Sequence, residues 1–348
     1  MQLEAKELKQ KLDVLKKALK GGTGDQDGCL RFGDRNIQAC NGIIGISVPC
    51  ETDCDFIVDS KVFAPLVASF KDVVEMTVTA AGKVRIKCPP HKSSLAQVAL
   101  QSWHHIECNA PEMTGYTNNL TDLFALSLEV TQKNESRPQF SGVYIEGENI
   151  LASDGLRVIW GSLVTSTGLD GVILPREFVE AVLAVGTISK VFFGQESARF
   201  VVENSKVGAV EISTRYVNAV FSRQWRSFFP QELSPEFVVV GLSDDVQAGL
   251  KRMSLYENDP FFTSCTFTIT KGSLECYCKT SNAEAKEAVP LSEERSSDEP
   301  IVFNTWPSFL LWALKHGGGR LFIHRSPDLI YFSDTVGDVR IIVAQSPE

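Results

Sequence analysis

The stretch GVILPREFVEAVLAVG, Gly171–Gly186, decides how the chain is read. An apolar extended segment runs into Pro175. A short amphipathic helix follows, with Phe178, Val179, Val182 and Leu183 on one side. The same shape occurs at Phe56–Phe70 (FIVDSKVFAPLVASF) and at Pro300–Leu314 (PIVFNTWPSFLLWAL). Taking Ile57, Ile173 and Val302 as equivalent positions, the intervals are 116 and 129 residues, and one third of the 348-residue chain is 116. Self-similarity at a long, nearly constant interval is the mark of a repeated structural unit.

Two further elements repeat ahead of each short helix. Hairpin-like stretches begin at Asn36, Asn149 and Ser273, and turn residues interrupt them at Asn41-Gly42, Asp154-Gly155 and Ser281-Asn282. A longer helix opens each unit. In the first unit Leu8, Leu12, Leu15 and Leu19 share a face that stops at Gly21-Gly22. In the second, Asn119 or Thr121 is the cap, and Leu123, Leu126 and Val130 form the face. In the third, Ser243 caps, Asp244 and Asp245 occupy the first turn, and Val246, Leu250 and Met253 form the face. Alternating strands close every unit. The order helix, strands, helix, strands predicts an α+β fold of three tandem helix-on-antiparallel-sheet domains, 1–114, 115–236 and 237–348.

Composition agrees with a folded, cytoplasmic protein. Hydrophobic residues make up 43% and charged residues 22%. No apolar run reaches the roughly 18 residues that cross a bilayer, and the charged N-terminal segment is not a secretory signal. Nine cysteines, an odd number, argue against a disulfide framework and for reduced thiols buried as small hydrophobes. The net charge of -9 is not that of an ordinary nucleic-acid binder, but six lysines fall within the first twenty residues. A basic strip on an acidic body is therefore expected.

Antiparallel sheets covered on one face leave edges that invite further pairing. Three units joined edge to edge make an arc, and two arcs can close by cyclic symmetry. Twelve helices at about 10 Å spacing trace a circumference of roughly 120 Å. Allowing for helix thickness, the opening is on the order of 28 Å, enough for a duplex.

The residues themselves carry a family resemblance. RPQFSGVYIEGENILASDGLRV (Arg137–Val158), STRYVNAVFSRQWRSFFP (Ser213–Pro230) and IVFNTWPSFLLWAL (Ile301–Leu314) occur in the order found in the bacterial beta sliding clamp, the processivity subunit of DNA polymerase III. The chain resembles that family over essentially its full length. The resemblance implies a head-to-tail homodimeric ring around double-stranded DNA, without sequence preference, catalytic chemistry, cofactor or metal. The pore contacts it implies are Lys9, Lys16, Lys17, Lys20, Lys133, Arg137, Lys251 and Arg252. It also implies a pocket for a short docking peptide of the polymerase and the clamp loader. That pocket maps to Phe140, Ser153, Gly155, Leu156, Arg157, Val158, Ser222, Arg226, Asn304, Ile330, Ile342 and Val343. Ser254 and Leu255 fall at the dimer interface. Two departures stand out: Phe221-Ser222 replaces the family's Phe-Pro, and the chain ends in VAQSPE rather than the family's Met-Pro pattern. Divergent or phage-encoded members would drift in this way.

The competing reading is a thiol- or metal-dependent enzyme on the same repeated scaffold, using His104, His105 and Cys108 with Cys50 and Cys54. No paired Cys-x-x-Cys spacing supports zinc there. HGGGR (His316–Arg320) has no nucleophile elbow to accompany it, and GGTGDQDG (Gly21–Gly28) lacks the Lys-Ser/Thr of a phosphate loop.

Overall fold

A computed structural model describes residues 1–19, 26–98, 103–113, 119–132, 136–222, 238–241, 243–259, 262–270, 272–294, 300–316, 320–323, 329–333 and 339–344. Up to residue 96 the elements are β1 (Gln2–Glu4), α1 (Ala5–Leu15), β2 (Cys29–Gly33), β3 (Asn36–Cys40), β4 (Ile44–Pro49), β5 (Phe56–Asp59), α2 (Ser60–Ser69), β6 (Val73–Val78), β7 (Lys83–Cys88) and β8 (His91–Ala96). Next come α3 (Asn119–Leu128), β9 (Gly142–Glu146), β10 (Asn149–Ser153), β11 (Arg157–Ser162), β12 (Val172–Pro175), α4 (Arg176–Val185), β13 (Thr187–Phe193), β14 (Ser197–Asn204) and β15 (Gly208–Arg215). The last group is β16 (Val238–Gly241), α5 (Asp244–Met253), β17 (Cys265–Thr270), β18 (Ser273–Lys279), β19 (Glu284–Pro290), β20 (Ser292–Glu294), β21 (Ile301–Thr305), α6 (Pro307–His316), β22 (Arg320–Ile323), β23 (Leu329–Ser333) and β24 (Val339–Ala344). The fold is α+β, and every strand pairing named below is antiparallel.

The chain divides into two compact units. The first comprises Met1–Leu128, Lys133–Glu148 and Val164–Ala219; the second comprises Glu129–Gln132, Asn149–Leu163 and Val220–Glu348. In the first, strands run β13-β14-β15-β4-β3-β2-β5 in one sheet and β1-β6-β7-β8 in another, and β12 pairs with β9. In the second, β10-β11-β24-β23-β22-β16-β20 run side by side, and β19-β18-β17-β21 form a four-stranded sheet.

The short strand before each second helix has one constant role. β5 pairs with β2, β12 with β9, and β21 with β17. Directly opposed phenylalanines mark two of these pairs. Phe32 stacks on Phe56 at 4.6 Å, and Phe267 stacks on Phe303 at 5.3 Å. All four rings are buried, and stacking adds to their area burial. The helices then pack in pairs, α1 with α2, α3 with α4, and α5 with α6.

Helix faces follow from spacing, with two adjustments. Leu8, Leu12 and Leu15 are buried as expected, but α1 ends at Leu15 and tightens into a 3₁₀ turn over Lys16–Ala18, so Leu19 leaves the apolar stripe. In α3 the buried face is Leu120, Leu123, Phe124 and Ser127, while Leu126 is only half-buried. In α5 the Ser243 hydroxyl accepts from the Val246 N–H at 3.3 Å, so the expected cap is present.

The three hairpins share one device. Asn41 Oδ1 accepts from the N–H groups of Ile43 and Ile44. Asp154 Oδ1 accepts from those of Leu156 and Arg157. Thr280 Oγ1 accepts from those of Asn282 and Ala283. A short polar side chain folding back on its own backbone explains each turn. In the third hairpin the closing residue is thus Thr280, one position before the expected Ser281-Asn282. Gly42 and Gly155 take φ of 83° and 91°, the left-handed region open to glycine.

The cysteines correct one expectation. Seven are free thiols, of which six are buried and Cys54 is half-buried. Cys265 and Cys278 instead form a disulfide. They stand directly opposite each other on β17 and β18 with Cα atoms 4.5 Å apart, within bonding reach.

Candidate nucleic-acid interface and peptide pocket

The predicted basic residues divide by what holds them. Lys16 and Lys17 are exposed on the 3₁₀ turn after α1, and Lys16 pairs with Asp13 at 2.6 Å. Lys9 is half-buried, and its ammonium donates to the Phe70 carbonyl at 2.6 Å, so it ties α1 to the end of α2. Lys251 and Arg252 are exposed in the last turn of α5, where positive charge also suits the helix dipole. The Arg252 guanidinium is bound to Glu287 of β19, which raises its pKa further. Arg137 is exposed just before a one-turn helix at Pro138–Phe140. Lys20 and Lys133 lie outside the described residues.

Sequence reading missed Lys206. It lies in the β14–β15 turn and shares with Lys17, Gln10 and Val185 a groove of about 220 Å³ beside α1. Helical periodicity cannot reveal a lysine carried on a hairpin turn.

Of the predicted pocket residues in the second unit, Ser153, Gly155, Leu156, Arg157 and Val158 share one hairpin, and Ile330, Ile342 and Val343 follow on the adjoining strands. Ser153 is buried, and its hydroxyl accepts from the Gly155 N–H at 3.0 Å. Leu156 projects, 40% exposed. Beyond the turn, β11 pairs with β24, setting Arg157 opposite Val343 and Val158 opposite Ile342. β23 pairs on the far side of β24, with Ile330 opposite Val343. Val343 is fully buried. Asn304 lies on β21, and its Oδ1 is buried without a hydrogen-bond partner among the described residues. Ser222 is exposed, Phe140 belongs to the first unit and is half-buried, and Arg226 lies outside the described residues.

Arg157 is the most constrained of these side chains. Its Nε and a terminal nitrogen meet Asp154 Oδ2 at 2.8 and 2.7 Å. Its guanidinium also lies over the rings of Phe309 and Trp312, 4.5 and 4.9 Å from their centroids. Trp312 Nε1 donates to Glu129 at 2.6 Å. The His316 ring lies 3.2 Å from the same carboxylate, and burial lowers its pKa. Phe309, Trp312 and His316 fall at i, i+3 and i+7 on α6, a spacing that could have identified this aromatic face. The surface around Arg157 combines a fixed cation with two aromatic walls.

At the predicted dimer residues, Leu255 is 68% exposed, and the Ser254 hydroxyl donates to the Lys251 carbonyl. The two histidines and three cysteines of the competing enzyme reading do not form a group close enough to share a metal. Among the described residues, the group of His, Cys, Asp or Glu close enough to share a metal is instead Cys265, Cys276 and Cys278. No described helix is long and apolar enough to cross a membrane.

A scan against family models finds none that matches the sequence, and no curated protein matches it. Solved structures do match. The DNA polymerase III subunit beta from Pseudomonas aeruginosa aligns at a TM-score of 0.82 and 15% identity, over 100% of both chains. The beta subunit from DNA polymerase of Streptococcus pyogenes gives 0.81 and 16%, covering 100% of this chain and 99% of its own. The DNA polymerase sliding clamp from Bacillus subtilis gives 0.80 and 15%, covering 100% and 98%. The chain has, from end to end, the fold of the DNA polymerase III beta subunit.

Proposed function

We propose that this protein is a DNA sliding clamp: two copies close head to tail around duplex DNA and tether a polymerase through a short docking peptide. The repeats are read as 1–114, 115–236 and 237–348. One observation carries the proposal. The last strand of a repeat pairs with the second strand of the preceding repeat's turn hairpin, the one closed at Asn41 or Asp154, and the chain makes this join twice. β15 pairs with β4, Glu211–Thr214 against Ile44–Ser47. β24 pairs with β11, Val339–Val343 against Arg157–Gly161. The equivalent strands left over are β8 and β19, each at the end of its sheet. In the proposed ring, β8 of one copy pairs with β19 of the other by the pattern that unites the other repeats. Two copies satisfy both edges and complete a closed, symmetric assembly.

The mechanism is topological. A linked ring needs only weak phosphate contacts, which carry no sequence information and leave it free to slide. Lys16, Lys17, Lys251 and Arg137, with Lys9, Lys20, Lys133 and Arg252, are the proposed DNA-facing set, and Lys206 joins it through the groove it shares with Lys17. The acidic balance elsewhere discourages binding outside the ring. The Ser153–Val158 hairpin, Asn304, Ile330, Ile342 and Val343, with Phe140, Ser222 and Arg226, form the proposed peptide pocket. Arg157 and the Phe309 and Trp312 rings would set its specificity. The changed Ser222 and C-terminal residues imply a partner peptide suited to this pocket, with polymerase and loader as its carriers.

The test compares loaded protein on nicked circular and linear DNA. Retention on circles with loss from linear ends is expected; equal retention on both would contradict a linked ring.

A further inference from the structure

We propose that Cys265, Cys276 and Cys278, once reduced, form a buried three-thiol site for one monovalent copper ion. The site rests on no part of the clamp reading. Cys265 and Cys278 face each other across β17 and β18, and Cys276 lies two residues before Cys278 on the same face of β18. All three are buried, and their sulfur atoms lie within 4.8 Å of one another. A metal bound to three sulfurs at about 2.3 Å needs sulfur separations of about 4 Å; the Cys276 sulfur already lies within 4.8 Å of the other two, and reduction frees Cys265 and Cys278 to part.

The number and type of donors select the ion. No fourth His, Cys, Asp or Glu among the described residues joins the group. Structural zinc takes four ligands, whereas thiolates without nitrogen or oxygen partners suit monovalent copper. The register partner of Cys276 on β19, Glu287, is committed to Arg252. Burial, with Glu287 nearby, pushes the Cys276 thiol up to about 12.

The balance is simple. Dithiothreitol reduces the Cys265–Cys278 disulfide by two electrons and two protons and leaves as its own cyclic disulfide. Copper binding then replaces S–H with metal–sulfur bonds and releases one proton for each thiolate formed. The metal keeps its oxidation state.

The experiment titrates the full-length, dithiothreitol-reduced and desalted protein with monovalent copper under argon, against bicinchoninate as competitor. One copper per chain should resist the competitor, with a thiolate-to-copper absorption in the near ultraviolet. Cys276→Ser should weaken retention at least 100-fold, while Cys54→Ser leaves it unchanged. Wild-type protein oxidised at Cys265–Cys278 should lose the ion equally, a control that needs no variant to fold. Copper lost to the competitor by the reduced wild type, equal retention by the oxidised form, or equally tight binding of zinc would overturn the proposal.

Discussion

β4 and β19 hold the same place in their repeats but differ in chemistry. In β4, Ile44, Ile46 and Val48 are all buried, and β15 covers its edge. In β19 only Val289 is buried, and Glu284, Lys286 and Ala288 are exposed. The same contrast separates β15 from β8. Ser213 and Thr214 of β15 are buried at the join, whereas β8 has no buried residue and exposes His91 and Lys92. A join within one chain never has to open, so apolar residues can seal it. An edge that meets another molecule must stay soluble while free, and charge on the strand prevents indiscriminate pairing. In the proposed ring, the difference separates the permanent junctions from the one that closes and reopens.

The largest expected effect falls on the sealed join. Ile46→Asp places a charge opposite Ile212 in a fully buried position. It should cost about 3–5 kcal/mol of folding stability, read by denaturant melting. Ser94→Asp on β8 should change stability by no more than about 0.5 kcal/mol, while lowering the mass of the assembly. Similar costs at the two positions would erase the contrast.

Leu255→Arg removes an exposed apolar side chain proposed to be buried on closure. Burying a leucine contributes about 1.5–3 kcal/mol, so the dimer constant should weaken about 10- to 100-fold with the monomer fold intact. Analytical ultracentrifugation over a dilution series reads this. A comparable loss for a docking peptide, read by fluorescence anisotropy, is expected from Arg157→Ala, which empties the space between Asp154 and the two rings. Replacing Lys17 and Lys206 by Ala should flatten the salt dependence of DNA binding by about 0.9 per lysine in the log–log slope.

The smallest effect concerns pH. His105 lies beside Gly45 of β4, and burial lowers its pKa below the ordinary 6.5 against the opposing pull of Glu211 and Glu107. The unfolded chain then binds the proton more readily, so stability declines as pH falls through 6.5 and is retained above it. His105→Asn should flatten that decline in melts between pH 7.5 and 5.5.

Much of this was legible in the sequence because it is local. The strand–helix unit, the hairpin turns at Asn41 and Asp154 and the Ser243 cap each rest on residues within a few positions of one another. What stayed hidden depends on register between distant segments. The Cys265–Cys278 pairing follows from how β17 and β18 align. The attachment of Lys9 to Phe70 depends on α1 meeting the end of α2, and a count of lysines cannot separate it from exposed Lys17. The aromatic wall on Arg157 joins a hairpin to a helix about 150 residues away, beyond what periodicity encodes.

Light scattering of the intact protein at low salt addresses the central claim most directly, since in the proposed ring both leftover edges pair with a second copy. A mass near twice 38.3 kDa, falling toward one chain in Leu255→Arg, is the predicted result. A mass of one chain at every concentration, or one that grows without limit as concentration rises, would contradict closure by two.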